Sequence, residues 1–523
     1  MTHRPVLLAC LGARDAAGAV ADARALPAAV QLLEVRLDRF GPAASSLDLA
    51  RLVADLGRPA VFTLRPRSEG GESDATPTQR ATRHRAADAA GFAWLDVEQD
   101  IAASIPRGRA RRIVSWHGAD ESECTGTNAS SIVARLAALD ADVVKIAAPA
   151  PDADAALAFV EAAQAAGHAA RVPVVAIAMG PYGRWLRPLA GRFEMPFVYA
   201  AVHGSKKTAA GQLTVAEFLD VHRAAHVSPT TRIHAVIGAD VSQSLSPTVH
   251  NAVFRAFDED AVYVDLSTPT FAQAWAVLTR LPMDGVSVTA PFKCDALQAA
   301  ASASQNASAI GAANTLRQHG GTWHASNTDA PGFGAALDVA LRHPERALAL
   351  TLGKSFDALD ALDANAPTAH GQPGSALVYG AGGVARAIAW ELRRRGTRVH
   401  LTGRSFERVA ATVIGLGAGI EGISPERAFS VAWPLVVNAV GDADETIPFD
   451  QNEVVRKGLA MEVAIRPLET PFLREARRWG RTPVPGLMMF AEQAALQAAL
   501  FTQHDVAAVR PHVVAALRAN GKR

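Results

Sequence analysis

Lys145 is the residue in this 523-residue sequence whose surroundings most strongly suggest covalent chemistry. It stands in Ala-Asp-Val-Val-Lys-Ile-Ala-Ala-Pro, with valines and alanines on either side. Desolvation on an apolar strand favours the neutral amine, which is nucleophilic and forms an imine with a ketone. A lysine near a strand end can also extend to solvent and do no chemistry, and this alternative stays open for Lys145 alone.

A histidine and three arginines strengthen the interpretation of Lys145 as an imine-forming residue. His117 ends the strand-like run before the one that contains Lys145, although a lone histidine is more often structural. Arg36, Arg65 and Arg187 lie in or after other strand-like runs. Arginine binds carboxylates and hydroxyl groups through several N–H donors. The set therefore predicts a site for a hydroxylated ketone that carries a carboxylate.

Eight apolar β-type runs in residues 1–228 must position these side chains. Ala-rich helical stretches separate the runs, and eight such units favour a (β/α)8 barrel over a doubly wound sheet. Catalytic groups of a barrel lie at the carboxyl ends of its strands. The predicted strands are Val6–Cys10, Leu32–Leu37, Ala60–Leu64, Trp94–Val97, Arg112–Trp116, Val143–Ala147, Val174–Ala178 and Phe197–Ala201.

The first half of the chain resembles type I 3-dehydroquinate dehydratase over essentially its whole length. The matching motifs are Glu34-Val-Arg36-Leu-Asp38, Phe62-Thr-Leu-Arg65 with Glu69-Gly-Gly, Ser115-Trp-His117, Val144-Lys145, Met179-Gly with Arg187, and Gly211-Gln212. The resemblance implies that Lys145 forms a Schiff base with the substrate and that His117 is the general acid and base. It also implies that the substrate contacts Glu34, Arg36, Arg65, Arg187, Thr208 and Gln212. Thr208 replaces a serine that is frequent in this family, and residues 183–187 are bulkier than usual.

A glycine-rich stretch at residues 376–386 follows a strand-like run in the second half. A strand that passes through glycines into a helix N-terminus offers backbone N–H groups to a phosphate. Glycines alone hardly distinguish such a site from a plain tight turn. The residues predicted to contact a cofactor here are Gly380, Ala381, Gly382 and Gly383.

Arg404 and Ser405 follow the next predicted strand, Val399–Thr402. An acidic residue at this place would hold the ribose 2′-hydroxyl of NAD, whereas an arginine suits a 2′-phosphate. We therefore expect NADP as the cofactor. The alternative is an exposed arginine that opens the next helix.

Polar motifs between residues 233 and 332 suggest a second site. Ser244 and Ser246 precede or cap a helix, and two hydroxyls at this spacing also suit a carboxylate. Lys293 follows a predicted strand, and Asp329 lies in Asn-Thr-Asp. If these two side chains meet, the lysine can supply the proton that reduction of a ketone requires, and the aspartate can orient it.

Residues 233–523 resemble shikimate dehydrogenase in the order and spacing of these motifs. The resemblance implies that Ser244 and Ser246 hold the substrate carboxylate and that Lys293 and Asp329 are the catalytic pair. It implies that the ring hydroxyls contact Thr289, Asn314 and Gln493, the last on a C-terminal helix that returns to the substrate domain. Among the positions that depart from the family, Ser287 replaces an asparagine, Ile465 replaces a tyrosine, and Asn438-Ala-Val440-Gly441 lacks the hydroxyls that usually follow its asparagine.

These motifs predict an α/β chain with an N-terminal barrel, a dehydrogenase substrate domain and a Rossmann-like NADP domain. The expected bounds are 1–228, then 233–340 completed by 486–523, and 374–485. We expect residues 343–375, which are longer than the family needs, to form a solvated helix or loose loop without a function. The predicted function is dehydration of 3-dehydroquinate to 3-dehydroshikimate, followed by reduction to shikimate with NADPH. An NAD-dependent quinate dehydrogenase and a metabolite-sensing regulator are the alternatives.

The composition excludes several other classes of protein. Charges balance to +1, so neither nucleic acid nor an anionic membrane is an expected partner. The three cysteines lack metal-ligand spacing, and we expect no metal and a reducing compartment. No signal peptide or membrane-spanning run is apparent, which predicts a cytoplasmic protein with small-molecule substrates. The sequence does not determine the oligomeric state, and a homodimer stays open.

Overall fold

A computed structural model describes residues 4–204, 207–363, 365–441, 447 and 458–521, without the side chains of residues 42, 43 and 45. The chain divides into two compact units. The first comprises residues 1–233, 240–243 and 260–282, and the second comprises 234–239, 244–259 and 283–523. The three domains expected from the sequence are defined differently from these units, and their bounds stay predictions.

Eight parallel strands form the sheet of the first unit, in the order β7-β6-β5-β4-β3-β2-β1-β8. The predicted barrel is confirmed as a nearly closed one, since β7 and β8 are the two ends of the hydrogen-bonded order. Both faces of such strands are covered, which is why they appear in the sequence as continuous apolar runs. The strands are β1 (Val6–Leu11), β2 (Leu32–Arg36), β3 (Ala60–Thr63), β4 (Trp94–Glu98), β5 (Arg111–His117), β6 (Val143–Pro149), β7 (Val174–Met179) and β8 (Phe197–Ala201).

Side-chain caps fix where the barrel helices begin. Thr76 and Gln79 form a reciprocal capping box at one helix, and Asp152 caps another through the N–H of Ala155. A 3₁₀ segment, Arg184–Leu189, follows β7. The helices are α1 (Ala16–Ala25), α2 (Leu49–Leu56), α3 (Pro77–Ala90), α4 (Gly126–Ala137) and α5 (Ala153–Ala170).

Alternating strands and helices continue through the rest of the chain. Of these elements, β10 and α7 belong to the first unit, and nearly all the others belong to the second. The strands are β9 (Arg232–Gly238), β10 (Ala261–Ser267), β11 (Gly285–Val288), β12 (Ser302–Ala303), β13 (Thr315–His319), β14 (Thr322–Ser326), β15 (Ser375–Tyr379), β16 (Arg398–Thr402), β17 (Ile420–Gly422), β18 (Leu435–Asn438), β19 (Leu459–Glu462) and β20 (Thr482–Val484). The helices are α6 (Ser246–Ala256), α7 (Phe271–Arg280), α8 (Lys293–Ala299), α9 (Gln305–Ile310), α10 (Asp329–Arg342), α11 (Pro344–Thr351), α12 (Asp357–Asp360), α13 (Gly383–Arg394), α14 (Phe406–Leu416), α15 (Pro425–Ala428), α16 (Pro471–Arg478), α17 (Gly486–Thr502) and α18 (Val506–Gly521).

Two sheets organise the second unit. In one, β9, β11, β13, β14 and β12 lie side by side in that order. The other is parallel, in the order β17-β16-β15-β18-β19-β20, which is the doubly wound arrangement of a nucleotide-binding domain. The predicted α/β dehydrogenase architecture is thereby confirmed.

The segment 343–375 differs from the expectation of a solvated helix or loose loop. Its residues Ala358, Leu359 and Leu362 are at most 2% exposed and belong to the main hydrophobic core of the second unit. Asp360 and Asp363 instead face arginines of α18, namely Arg518 and Arg510. The alternation of Asp with Ala-Leu pairs therefore gives the segment one buried side and one charged side. The sequence analysis interpreted the charges as a sign that the whole segment is exposed to solvent.

Candidate active sites

Lys145 lies inside the barrel on β6. In the register of the sheet it stands between Ser115 of β5 and Val175 of β7. Val143, two residues earlier, packs in the hydrophobic cluster of the barrel interior. Because side chains two residues apart on a strand share a face, Lys145 points inward as well. Its residue is 3% exposed.

Two carboxylates and an aromatic ring surround the amine of Lys145. Nζ donates a hydrogen bond of 2.8 Å to Oδ2 of Asp96, and Oε1 of Glu34 lies 3.8 Å from it. Nζ also lies 4.5 Å from the centre of the Tyr199 ring. The sequence analysis grouped Lys145 with His117, Glu34 and three arginines and did not include Asp96 or Tyr199. These contacts fix the position of the amine inside the barrel.

Asp96 is held in its charged form. Burial alone would raise the pKa of this carboxyl group, but the charges of Lys145 and Arg65 outweigh burial and hold the pKa below its usual range. Nη2 of Arg65 lies 2.9 Å from Asp96 Oδ2, the same oxygen that Lys145 contacts. Asp96 thus joins two of the residues that the sequence analysis placed in one site.

His117 lies between Arg65 and Glu69, and the two contacts fix its tautomer. Arg65 Nη1 contacts Nε2 of His117, and an arginine can only donate, so Nε2 must be the acceptor. The ring proton is then on Nδ1, which donates to Glu69 Oε2 at 3.1 Å. Burial, together with the charges of Arg65 and Lys145, holds the pKa of His117 well below its usual range. A neutral histidine with its lone pair at Nε2 can act as a general base.

The side-chain carboxyl group of Glu69 has an unusually high pKa. Burial raises its pKa to about 7, although the charge of Arg65 opposes the rise. The carboxyl group that orients His117 therefore gains or loses its proton near neutral pH.

The remaining predicted barrel residues lie in two groups. Arg36 donates to both oxygens of Asp38 at 2.9 and 2.8 Å, and Asp38 lies in the 3₁₀ turn after β2 rather than on the strand. Thr208 donates from its backbone N–H and its hydroxyl to Gln212 Oε1, and Gln212 in turn contacts the Cys10 thiol at 3.3 Å.

Arg187 borders the second of these groups. Its Nη2 donates to the backbone oxygen of Ala210 at 3.1 Å, whereas its buried Nε has no hydrogen-bond partner. Burial lowers the pKa of Arg187 to about 10, which leaves the guanidinium charged at neutral pH. A half-buried arginine with an unused donor is suited to bind an anionic group.

Four residues around Lys145 were not assigned a role from the sequence: Cys10, Glu69, Asp96 and Tyr199. Asp96 could have been found, because Asp96 and Glu98 alternate on a strand that is otherwise apolar, as Glu34 and Arg36 do on β2. Tyr199 gave no comparable signal, since an aromatic residue on a buried strand is ordinary core.

Lys293 and Asp329 meet in the second unit, as the sequence analysis required of a catalytic pair. Lys293 Nζ lies 2.5 Å from Asp329 Oδ2, and both residues are buried. Nδ2 of Asn314 lies 3.0 Å from Asp329 Oδ1 and 3.1 Å from Gln493 Oε1. Four of the predicted residues thus form one hydrogen-bonded network.

Ser244, Ser246 and Thr289 lie at the neighbouring strand ends. Ser246 is the first residue of α6, and its N–H donates to Ser244 Oγ at 3.2 Å. Thr289 follows β11 and donates its N–H to Ile237 O, at the end of the parallel strand β9. Among the described residues, no hydrogen bond links these three side chains to Lys293 or Asp329. They share with Lys293 the sheet edge where strands of this fold present binding groups.

The glycine-rich turn between β15 and α13 fits a dinucleotide phosphate. Gly380 has φ +133°, a conformation that residues with a Cβ rarely adopt, and a Cβ placed on Gly382 would meet no atom within 4 Å. Ala381 connects these two glycines, and its carbonyl accepts from Thr412. A Cβ on Gly383 would lie 2.8 Å from Cβ of Lys293, so this glycine lets the first turn of α13 approach the catalytic lysine.

Arg404 and Ser405 occupy the predicted place between β16 and α14. Arg404 is exposed, and Ser405 caps α14 by accepting from the N–H of Arg408 at 3.3 Å. An exposed guanidinium at the carboxyl end of the second strand can reach a ribose 2′-phosphate. The same placement also agrees with the alternative of an arginine that opens the helix.

Two of the departures from the family have different environments. Ser287 donates to Gln497 Oε1 at 2.9 Å, and Gln497 also contacts Thr315. Ser287 is therefore part of the structure that supports Asn314. Ile465 is half-buried and packs against the core of the second unit, so it keeps the apolar contact of a tyrosine ring without its hydroxyl.

Two protein families match the chain, one in each half. The type I 3-dehydroquinase family matches residues 7–229, and the shikimate dehydrogenase substrate binding domain matches residues 236–316. No helix in the described part of the chain is long and apolar enough to cross a membrane.

Relatives cover both halves together or the second alone. The bifunctional 3-dehydroquinate dehydratase/shikimate dehydrogenase, chloroplastic, of Arabidopsis thaliana is 29% identical over 487 residues, which are 90% of this chain and 77% of that protein. The shikimate dehydrogenase (NADP(+)) of Thermus thermophilus is 34% identical over 274 residues, which are 51% of this chain and 91% of the relative. A crystal structure of shikimate 5-dehydrogenase from Thermus thermophilus in complex with NADP(H) and shikimate is 30% identical, covers 55% of this chain and 99% of its own, and has a TM-score of 0.42. The chain belongs to the type I 3-dehydroquinases through its first half and to the shikimate dehydrogenases through its second.

Proposed function

We propose that the chain catalyses two consecutive reactions, dehydration of 3-dehydroquinate and NADPH-dependent reduction of 3-dehydroshikimate to shikimate. The observation that carries the proposal is that each family-matched half contains one buried lysine with an acid–base partner. Lys145 is paired with Asp96 and lies near His117, and Lys293 is paired with Asp329. Composition and fold allow many alternatives, but a regulator that only senses metabolites has no need for two such pairs.

In the dehydratase, the neutral amine of Lys145 attacks the substrate ketone. Formation of the imine releases one water. The protonated imine then accepts electrons from the adjacent carbon. Nε2 of His117 removes the proton from that carbon and then gives it to the hydroxyl on the next carbon, which leaves as water. Water then hydrolyses the imine and frees Lys145, so the net change is the loss of one water. Arg36, Arg65 and Arg187 are the cations that hold the substrate carboxylate and hydroxyls.

In the dehydrogenase, NADPH supplies the hydride. Lys293 donates a proton to the carbonyl oxygen, and Asp329 fixes the position of the ammonium group. Asn314 and Gln493 are held next to this pair and are placed to contact ring hydroxyls. Gly380, Gly382 and the N-terminus of α13 would hold the pyrophosphate, and Arg404 would hold the 2′-phosphate.

A coupled assay tests the whole proposal. The purified chain receives 3-dehydroquinate and NADPH, and the loss of NADPH and the formation of shikimate are followed together. The expected result is oxidation of one NADPH for each shikimate formed, with no other enzyme added. If neither 3-dehydroquinate nor 3-dehydroshikimate supports oxidation of NADPH, but quinate supports reduction of NAD, the alternative quinate activity replaces the second step.

The dehydratase rate should fall as the pH decreases through about 7. The pKa of Glu69 is raised to about 7, so this carboxyl group is ionised above that pH and protonated below it. Only the ionised form fully stabilises the Nδ1–H tautomer of His117, which keeps the basic lone pair on Nε2. The measurement is kcat for 3-dehydroquinate between about pH 5.5 and 9, and the apparent pKa belongs to the Glu69–His117 pair.

Glu69→Gln is the control for this pH dependence. It keeps the size and a hydrogen-bond acceptor but cannot titrate, so the acid limb should disappear and kcat should fall about tenfold at high pH. The assignment is wrong if Glu69→Gln retains the same acid limb near pH 7.

Replacing Arg404 with glutamine should raise KM for NADPH about ten- to a hundredfold, because one charge-assisted contact to the 2′-phosphate is lost. KM for NADH, which lacks that phosphate, should change little. Arg398→Gln is the matched control, since Arg398 is exposed at the opposite end of the same strand. Steady-state kinetics with both cofactors measure the ratio, and an equal change for NADPH and NADH would assign Arg404 a purely structural role.

A cytoplasmic location and the homodimer left open by the sequence stay proposals. All three cysteines are free thiols, which supports a reducing compartment. The near-neutral net charge supports small-molecule substrates rather than nucleic acid.

A further inference from the structure

The 3₁₀ segment Arg184–Leu189 carries Arg187, a residue that the proposed dehydratase uses to bind its substrate. A 3₁₀ turn has three residues, so Arg184 and Arg187 stand one above the other on the same side of the segment. Trp185 between them is fully buried. The contacts of Arg184 therefore act on the same short segment that carries Arg187.

Arg184 is held by two carboxylates. Its Nη2 lies 2.8 Å from Glu217 Oε1, in the π-helical turn after β8, and its Nε lies 3.1 Å from Asp265 Oδ2. Asp265 belongs to β10, within the range that matches the shikimate dehydrogenase substrate binding domain, yet β10 is part of the first compact unit. Asp265, which lies within the second family match, thus contacts Arg184, three residues from the predicted substrate-binding residue Arg187.

The Arg184–Asp265 pair is shielded enough for its loss to matter. The Asp265 side chain is 6% exposed and that of Arg184 is 18% exposed. Removal of the Asp265 charge leaves Arg184 with Glu217 as its remaining carboxylate partner, so the guanidinium is expected to shift toward Glu217. A second contact, in which His222 Nδ1 donates to Tyr263 O at 3.3 Å, also links β10 to the segment that follows β8.

The guanidinium group of Arg187 makes few hydrogen bonds. Within the described part of the chain, its one hydrogen bond is to Ala210 O, and its buried Nε has no hydrogen-bond partner. Its side chain therefore depends on the backbone of the 3₁₀ segment for its placement in the site.

We infer that Asp265 is a positioning residue for the dehydratase, acting through Arg184 on Arg187. The inference rests on the proposed dehydratase function and extends it to a residue outside the barrel strands. Because Arg187 binds the substrate carboxylate both before and during the reaction, a misplaced Arg187 weakens binding more than it slows chemistry.

The test uses the full chain and measures kcat and KM for 3-dehydroquinate. Asp265→Asn should raise KM about tenfold, the equivalent of about 1.4 kcal/mol, with kcat changed less than about threefold. Asp265→Glu keeps the charge and should restore most of the affinity. Dehydrogenase kinetics with 3-dehydroshikimate should stay within about twofold of wild type.

Arg280→Gln is the matched control. Arg280 lies on α7, in the same part of the chain, but its partners are Glu161 and Asp154 of α5. It should leave KM for 3-dehydroquinate unchanged. If Arg280→Gln raises KM as much as Asp265→Asn does, the effect is a general loosening of packing and the inference is overturned.

Arg184→Gln completes the cycle and covers the case in which Asp265→Asn does not fold. Alone it should raise KM as Asp265→Asn does, and the double variant should be no worse than either single one. A wild-type KM for Arg184→Gln, or additive effects in the double variant, would overturn the inference. If wild type does not dehydrate 3-dehydroquinate at all, the proposed function fails, and this result is distinct from a failure of Asp265 alone.

Discussion

Lys145→Met will abolish dehydration of 3-dehydroquinate and leave reduction of 3-dehydroshikimate intact. Methionine fills nearly the same volume, but it offers no amine for the imine, so kcat should fall by at least about 10³-fold. The fold should survive, because Asp96 keeps its contact with Arg65 when the lysine is removed. NADPH oxidation should therefore stop with 3-dehydroquinate as substrate and continue with 3-dehydroshikimate.

Borohydride trapping tests the chemistry directly. Wild type treated with 3-dehydroquinate and borohydride should gain the mass of the reduced adduct on the peptide that contains Lys145, and Lys145→Met should gain none. Lys354→Met is the matched control, because Lys354 is an exposed lysine of the second unit. A Lys145→Met variant that is folded and keeps a tenth or more of the wild-type rate would rule out an imine mechanism, because loss of the nucleophile should cost at least about 10³-fold.

Lys293→Met will have the opposite effect, with dehydration intact and reduction lost. Loss of the general acid lowers kcat by about 10²- to 10⁴-fold. The chain should then convert 3-dehydroquinate to 3-dehydroshikimate and stop there, so the intermediate accumulates in an amount equal to the substrate consumed. Product analysis by chromatography measures this ratio.

Asp329→Asn separates positioning from proton donation. It keeps the shape of the side chain and the contact with Asn314, but leaves the buried amine of Lys293 without its counter-charge. A loss of about tenfold to a hundredfold, smaller than that of Lys293→Met, is expected from a residue that only orients the donor. If Asp329→Asn is as inactive as Lys293→Met, the aspartate takes part in proton transfer itself.

The barrel was predictable because each of its strands is buried on both faces. Runs such as Val174–Met179 are apolar without alternation, and eight of them at regular spacing leave few other folds. Seven of the eight strands begin where predicted, and seven end one or two residues away from the predicted end; β5 differs at both ends, since it begins at Arg111 and includes His117. Local sequence does not decide whether an arginine or a histidine that borders an apolar run is part of the strand.

The electrostatics of the site were less predictable. The sequence analysis placed arginines in the same site as Lys145 and missed Asp96, whereas the structure places Asp96 and Glu34 2.8 and 3.8 Å from its amine. These contacts join residues 49 and 111 positions away in the chain, and nothing in a local pattern states which of the inward-facing side chains become neighbours. Asp265 illustrates the same limit, since its partner Arg184 is 81 residues earlier.

Because of the order of their residues along the chain, the two sites become complete at different times during synthesis. Every barrel residue that surrounds Lys145 has been added once residue 212 is complete. Asn314, in contrast, depends on hydrogen bonds with Gln493 and Gln497 of α17, 179 and 183 residues later. Since domains fold in the order in which they leave the ribosome, the dehydratase pocket can assemble while the dehydrogenase pocket still lacks a wall. A ribosome that stalls before α17 would therefore release a polypeptide able to make the intermediate but not to consume it.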